Sequence, residues 1–272
     1  MKVCNECNKE IKLRLIKGAS WRTTCECPDI NEFEPTTRAT IVIPSRYPDI
    51  FGPCQKSIDK FAPKEKKILV RDGHSIESPQ DWKTIQATET FCYARNVNLG
   101  MKEADGDVLL CNDDVLFTKP RTLETLQAIL SRYPQIGIIS PHIDGKVGEY
   151  WQGHATDIVH YTDVRLCFVC VLIRKEVVEK VGLLDERFAG GYGYEDVDFC
   201  RRVVNAGYRL AATGRTTVRH GHIDGDWSTS YRREPQTLNQ LDKIAGQQYF
   251  DKWGDYSLEC KPAQRLKASE EA

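Results

Sequence analysis

Short apolar runs recur along the chain, each stopped by a turn-forming or charged cluster. Thr40-Ile41-Val42-Ile43 stops at Pro44, and Lys67-Ile68-Leu69-Val70 at Arg71-Asp72-Gly73. Asp107-Val108-Leu109-Leu110-Cys111 stops at Asn112-Asp113-Asp114, and Ile136-Gly137-Ile138-Ile139-Ser140 at Pro141. Continuous apolar runs of this kind predict strands covered on both faces. Between the last two, Leu123, Leu126, Ile129 and Leu130 share one helical face, bracketed by Pro120 and Pro134. Val177, Val178 and Val181 predict a short helix stopped by Gly182. Glu195 to Asn205 predicts another, with acids first, Arg201-Arg202 later and Gly207 as its stop. Covered strands alternating with helices imply an α/β domain on a mostly parallel sheet.

Residues 1–37 follow a different pattern. Ile11-Lys12-Leu13-Arg14-Leu15 alternates apolar and basic, Lys17-Gly18-Ala19-Ser20 reads as a turn, and Trp21-Arg22-Thr23-Thr24 as a return strand. Cys4 and Cys7 precede this hairpin, and Cys25 and Cys27 follow it. Four thiolates around a small fold without a core suit a structural zinc ion, although the Cys25-Glu26-Cys27 spacing is tighter than usual. The polar, acidic stretch Pro28–Thr37 reads as a linker. The expected organisation is a zinc-ribbon-like module at 1–37, an α/β domain at 38–225 and a C-terminal extension at 226–272. The extension is polar and mixed, and its pattern assigns it no role.

Composition narrows the function classes. The 272 residues are 40% hydrophobic and 28% charged, with a formal net charge of -1, which excludes wholesale disorder and a global field for nucleic acid. The first residues hold no apolar stretch, and the longest apolar run, Cys167–Ile173, is too short to span a bilayer. A cytoplasmic protein with no membrane insertion is expected. In that compartment thiols stay reduced, so the 11 cysteines read as metal ligands or buried side chains. Cys167 and Cys170 lie within the apolar run and read as core. The hairpin concentrates Lys12, Arg14, Lys17 and Arg22 beside Trp21, which could stack on a base. The acids around it bring residues 1–37 to neutrality.

Three clusters could carry chemistry. Asp113 and Asp114 follow an apolar strand; carboxylates there can hold a divalent cation that neutralises a diphosphate, and Asn and Asp also simply end strands. Gly190-Gly191-Tyr192-Gly193-Tyr194 runs into Glu195-Asp196-Val197-Asp198. Acids complement a helix N-terminus, but three behind a glycine-rich loop also offer a general base. Thr216–Arg219 ends in His220-Gly221-His222, where an imidazole could ligate a metal or serve structure alone.

The order of these pieces resembles the family-2 glycosyltransferases of the GT-A fold. An apolar strand with Pro44-Ser45-Arg46 leads to Asp72-Gly73, Tyr93-Ala94-Arg95-Asn96 and the Asp113-Asp114 pair. Gly182-Leu183-Leu184-Asp185-Glu186-Arg187-Phe188, then Glu195-Asp196-Val197-Asp198, then His220 follow. The resemblance covers about Thr40 to His222. It implies a mixed, mainly parallel sheet flanked by helices, a nucleotide-sugar donor, a hydroxyl acceptor and Mn²⁺ or Mg²⁺. By motif position Asp114 and His220 are expected to hold the metal. Pro44, Ser45, Arg46, Asp72, Arg95 and Asp113 would line the donor, with Asp113 at the ribose or a metal-bound water. Asp196 is expected to deprotonate the acceptor, with Glu195 beside it, in a single inverting displacement. Arg71 stands where the family often has an acid; a guanidinium cannot accept the uracil N–H, which weakens the expectation of a uridine donor. A zinc-ribbon-like module makes a macromolecular acceptor, modified DNA or a polysaccharide, a candidate, and equally suits a role in fold stability or dimerisation alone. The same fold also suits a nucleotide-sugar binding protein without activity, or a nucleotidyltransferase.

Overall fold

The computed structural model describes residues 38–72, 76–87, 92–188, 193–221 and 235–260, together with strands at 12–16 and 20–24. In chain order the elements are β1 (Lys12–Ile16), β2 (Ser20–Thr24), β3 (Ala39–Ser45), α1 (Pro48–Phe61), β4 (Lys66–Arg71), β5 (Lys83–Gln86), α2 (Tyr93–Lys102), β6 (Asp107–Cys111) and β7 (Val115–Phe117). Then come α3 (Thr122–Arg132), β8 (Ile136–Asp144), α4 (Tyr150–His154), β9 (Val159–Thr162), β10 (Cys170–Ile173), α5 (Lys175–Val181), α6 (Glu195–Asn205), β11 (Arg209–His220) and α7 (Pro235–Trp253). The expected N-terminal hairpin is present: β1 and β2 pair antiparallel, Lys12 opposite Thr24 and Ile16 opposite Ser20. Cys4, Cys7, Cys25 and Cys27 lie outside the described residues.

All other strands join one nine-stranded sheet, ordered β5-β4-β3-β6-β10-β8-β11-β7, with β9 on β11. Strands β5, β4, β3, β6, β8 and β11 run one way; β10, β7 and β9 run against them. The sheet is therefore mixed and mainly parallel, with helices on both faces. Alternation along β3 explains this directly. Ile41 and Ile43 pack with Phe51, Cys54 and Ile58 of α1 and the apolar stripe of α3, while Val42 packs with Val97 of α2 and Phe199 of α6.

The two prolines expected to stop strands do not stop them. β3 continues through Pro44 to Ser45, and β8 through Pro141 to Asp144. Proline lacks an N–H, so it fits a strand where no neighbour needs that donor. The β3–β6 register ends at Val42, and the β8–β10 register ends at Ile139, before each proline is reached.

The extension supplies α7, whose Ala245 and Tyr249 are buried with Phe188 and Val197, with Tyr194 and α7's own Trp253 packed against the cluster. Past α7, Val164 forms a bridge with Glu259, and Leu258 accepts the Arg165 N–H at 3.1 Å. The tail thus grips both the start of α6 and the segment before β10. Among the described residues, no helix is long and apolar enough to cross a membrane.

Candidate active site

Three strands that run the same way end together. β3 delivers Ser45, whose hydroxyl donates to Asp113 Oδ2 at 2.7 Å in a buried contact. β4 delivers Asp72, whose N–H donates to Ser45 O at 2.9 Å. β11 delivers His220, paired across β7 with Val115. In a sheet of this kind ligands bind at the carboxyl ends of the strands.

Asp114 Oδ2 stands 3.4 Å from His220 Nε2. His220 Nδ1 lies 2.6 Å from the Lys146 carbonyl oxygen. Since that oxygen only accepts, Nδ1 donates, and in the neutral ring Nε2 carries the lone pair. Two electron-rich atoms facing each other at this separation call for a cation or a shared proton between them. Asp114 Oδ1 is buried with no hydrogen-bond partner among the described residues. Gly145 permits the arrangement: it adopts φ +130°, and a Cβ there would lie 2.5 Å from the His220 carbonyl oxygen. A carboxylate and an imidazole fit Mn²⁺ or Mg²⁺ with positions left for phosphate oxygens and water. Among the described residues, no group of three or more His, Cys, Asp and Glu side chains gathers around one point. The remaining ligands of an ion here would have to come from substrate, water or other parts of the chain.

Asp113 is pushed up to about 7, first by burial and then by the negative charge of Asp114, with the Ser45 hydroxyl and the Arg46 N–H opposing. Burial also raises Asp72, and Arg46 lowers it. Arg46 is thus the cation beside the strand ends. Arg71 points elsewhere, donating to Gln86 Oε1 at 2.7 Å and Ile76 O at 2.8 Å, where it ties β4 to β5. Arg95 reaches Glu186 Oε2 at 3.6 Å, and Asn98 holds the same segment by donating to Glu186 Oε1 and Leu184 O.

The second acidic group sits at the start of α6. Tyr194, at φ 68°, and Gly193, at φ +94°, turn the chain sharply into the helix. Glu195 and Asp196 are both raised by burial. Each resists the other's ionisation, and Arg165, whose Nη1 is 4.0 Å from Asp196 Oδ1, opposes the rise. Glu195 Oε2 has no hydrogen-bond partner among the described residues. Asp198 faces the other way. It is fully buried and accepts from Arg202 Nε at 2.9 Å, Lys252 Nζ at 2.7 Å and Trp253 Nε1 at 2.9 Å. The three acids of this turn therefore divide: Glu195 and Asp196 act on the Tyr93 phenol, and Asp198 is an anchor for α7. The glycine-rich stretch 189–192 and His222 lie outside the described residues.

Tyr93 joins the two acidic groups. Its hydroxyl lies 3.2 Å from both Asn112 Oδ1 and Phe168 O. Burial, then the charges of Glu195 and Asp196, hold the phenol well above its ordinary range. It therefore remains a neutral donor between two clusters of acids. Sequence reading placed Tyr93 within a motif without a role and passed over Arg165; the partners that give them meaning, Phe168 for Tyr93 and Asp196 for Arg165, are distant in the chain, so spacing held no signal for them.

The sequence matches no known protein family and no curated protein. Solved structures do match. A mannosyltransferase from Pyrobaculum calidifontis, solved with GDP-Man and Mn²⁺, is similar at a TM-score of 0.55 and 14% identity, over 83% of this chain and 73% of that one. GalNAc-T7, solved with UDP, GalNAc and Mn²⁺, is similar at a TM-score of 0.58 and 11% identity, over 85% of this chain and 51% of that one. The fold is that of the GT-A glycosyltransferases.

Proposed function

We propose that the protein is a metal-dependent glycosyltransferase that moves a sugar from a nucleotide-sugar donor to a hydroxyl acceptor with inversion. The observation that carries this reading is the pairing of two buried acidic groups, Asp113-Asp114 with His220 and Glu195-Asp196, on either side of Tyr93. The GT-A fold supports it, as do the Mn²⁺ complexes of both structural neighbours.

Asp114 and His220 would hold Mn²⁺ or Mg²⁺, which stabilises the charge that grows on a departing nucleoside diphosphate. Ser45 orients Asp113 and, with Arg46 and Asp72, forms the donor side of the crevice; Arg95 lies further along α2. Asp196 takes the proton of the acceptor hydroxyl as its oxygen bonds the anomeric carbon and the carbon–phosphate-oxygen bond breaks. Glu195, whose burial favours the protonated form, donates a hydrogen bond to the acceptor or to Asp196. Tyr93 keeps the two halves in register.

The four N-terminal cysteines, Cys4, Cys7, Cys25 and Cys27, would hold one structural zinc, separate from the catalytic ion because thiolates are softer ligands. The basic hairpin with Trp21 would guide a macromolecular acceptor, such as modified DNA or a polysaccharide. Metal analysis of protein purified without added metal tests the zinc, with about one ion per chain expected from a four-thiolate site.

The central test is incubation with Mn²⁺ and a panel of sugar nucleotides and acceptors, with products read by mass spectrometry. Free nucleoside diphosphate, with or without a glycosylated product, supports the proposal. Binding without turnover indicates a nucleotide-sugar binding protein, and release of pyrophosphate in a parallel incubation with a nucleoside triphosphate and a sugar 1-phosphate indicates a nucleotidyltransferase.

A further inference from the structure

Arg165 belongs to no motif, yet its surroundings converge on one interaction. Its main chain is fixed by the Leu258 carbonyl at 3.1 Å, between the Val164–Glu259 bridge and the Asp163 carbonyl, which accepts the Cys260 N–H at 2.5 Å. Gly148 closes over the guanidinium: a Cβ at that position would come within 3.3 Å of Arg165 Nη2. The tail holds the main chain and Gly148 flanks the side chain of a mostly buried cation, and the carboxylate it meets is Asp196, at 4.0 Å, with side chains 25% and 14% exposed. A cation so confined acts on its neighbour far more than a surface ion pair would.

We propose that Arg165 is the positioning residue of the Glu195–Asp196 pair, holding Asp196 ionised so that Asp196, and not Glu195, accepts the proton. The assignment rests on the glycosyltransferase reading for its chemical consequence, but not for its electrostatics. Two buried adjacent carboxylates do not both ionise readily. At Asp196 the Val197 N–H donates to Oδ1 at 2.7 Å and favours the charged form, and a cation adds to that preference. The other side chains facing Asp196 bring no charge of their own. Cys200 on α6, Cys167 beyond Arg165, Tyr93 on α2 and Cys260 in the tail are all raised by burial and stay neutral. Arg165 is the one permanent charge in that set, and it lies against Asp196.

The test is a carboxyl ¹³C NMR titration of protein labelled at Asp and Glu side chains, with signals assigned by Asp196→Asn and Glu195→Gln. In Arg165→Gln, Asp196 should titrate about one unit or more higher than in the wild type, from the loss of an adjacent cation. Arg165→Lys should restore most of the difference. Where the wild type turns over a sugar nucleotide, the acid limb of the pH–rate profile should move by the same amount, a tenfold loss for each unit on that limb. An unmoved Asp196 titration in Arg165→Gln overturns the proposal, whatever the activity. A wild type without turnover of any sugar nucleotide overturns the functional reading and leaves the titration to decide the role of Arg165. Thermal melting checks folding. Should Gln not be tolerated, Arg165→Met replaces it, and failure of both to fold makes Arg165 a structural strut and ends the proposal.

Discussion

Trp253 donates its indole N–H to Asp198 Oδ1 at 2.9 Å, joining residues 55 positions apart. This contact ties α7 to the helix that carries the candidate catalytic acids. With Lys252 on the same oxygen at 2.7 Å, it occupies Asp198 and leaves Glu195 and Asp196 outside that network. Trp253→Ala removes a half-buried ring and one donor to a buried carboxylate. The expected loss is roughly 2–3 kcal/mol in urea unfolding, below the range for a fully buried Trp.

Acid should release this helix. Arg187 first, and then Lys252, hold Asp185 well below the usual carboxylate range, and Arg201 lowers Asp255. A depressed folded-state pKa contributes stability above the unfolded value, about 3.9, and loses it as pH falls. Melting temperature should therefore drop as pH goes from about 4 downward. Asp185→Asn should flatten that drop and start from a lower plateau.

Glu195 should show the opposite slope. Burial, then the charge of Asp196, raise it to about 8. Its folded form holds the proton that the unfolded form has lost, so stability is present below about pH 4.3 and declines as pH rises through the folded value. Glu195→Gln removes this titration. Comparing melting temperatures between pH 5 and pH 9, the variant should lose less than the wild type, and at the upper end it should be the more stable of the two.

Asp196→Asn keeps the shape and an acceptor oxygen for the Val197 N–H, which Asp196 Oδ1 accepts at 2.7 Å. Stability and donor affinity should stay near normal, while transfer slows by about 10²–10⁴. Normal transfer with an unchanged fold would sink the general-base role.

The metal assignment can be checked without turnover. Manganese electron paramagnetic resonance in the presence of a nucleoside diphosphate should show one bound ion per chain in the wild type, as Asp114 and His220 face each other at 3.4 Å. Asp114→Ala and His220→Ala should each weaken binding by at least about tenfold, the lower bound for disturbing a metal site. Asp198→Asn, remote from the pair, should not.

The strands at 40–44, 67–70, 107–111 and 136–140 and the helices at 122–132, 175–181 and 195–205 were legible in the sequence. Each buries a local pattern that the chain spells out, a continuous apolar run or a 3.6-residue stripe. The chemical types at the strand ends were legible for the same reason, since Asp113-Asp114 and Glu195-Asp196 stand side by side in the chain. Other features were decided only in three dimensions. Helix α7 carries a narrow stripe, Ala245, Tyr249 and Trp253, which has meaning only once Phe188 and Tyr194 are there to cover it. Asp196 and Asp198 look equivalent in sequence. A helix turns 100° per residue, so positions two apart face different sides: one meets Arg165 and the other Trp253. Pro44 and Pro141 read as stops because sequence shows a missing N–H. It does not show that the neighbouring strand has already ended where that N–H would be needed.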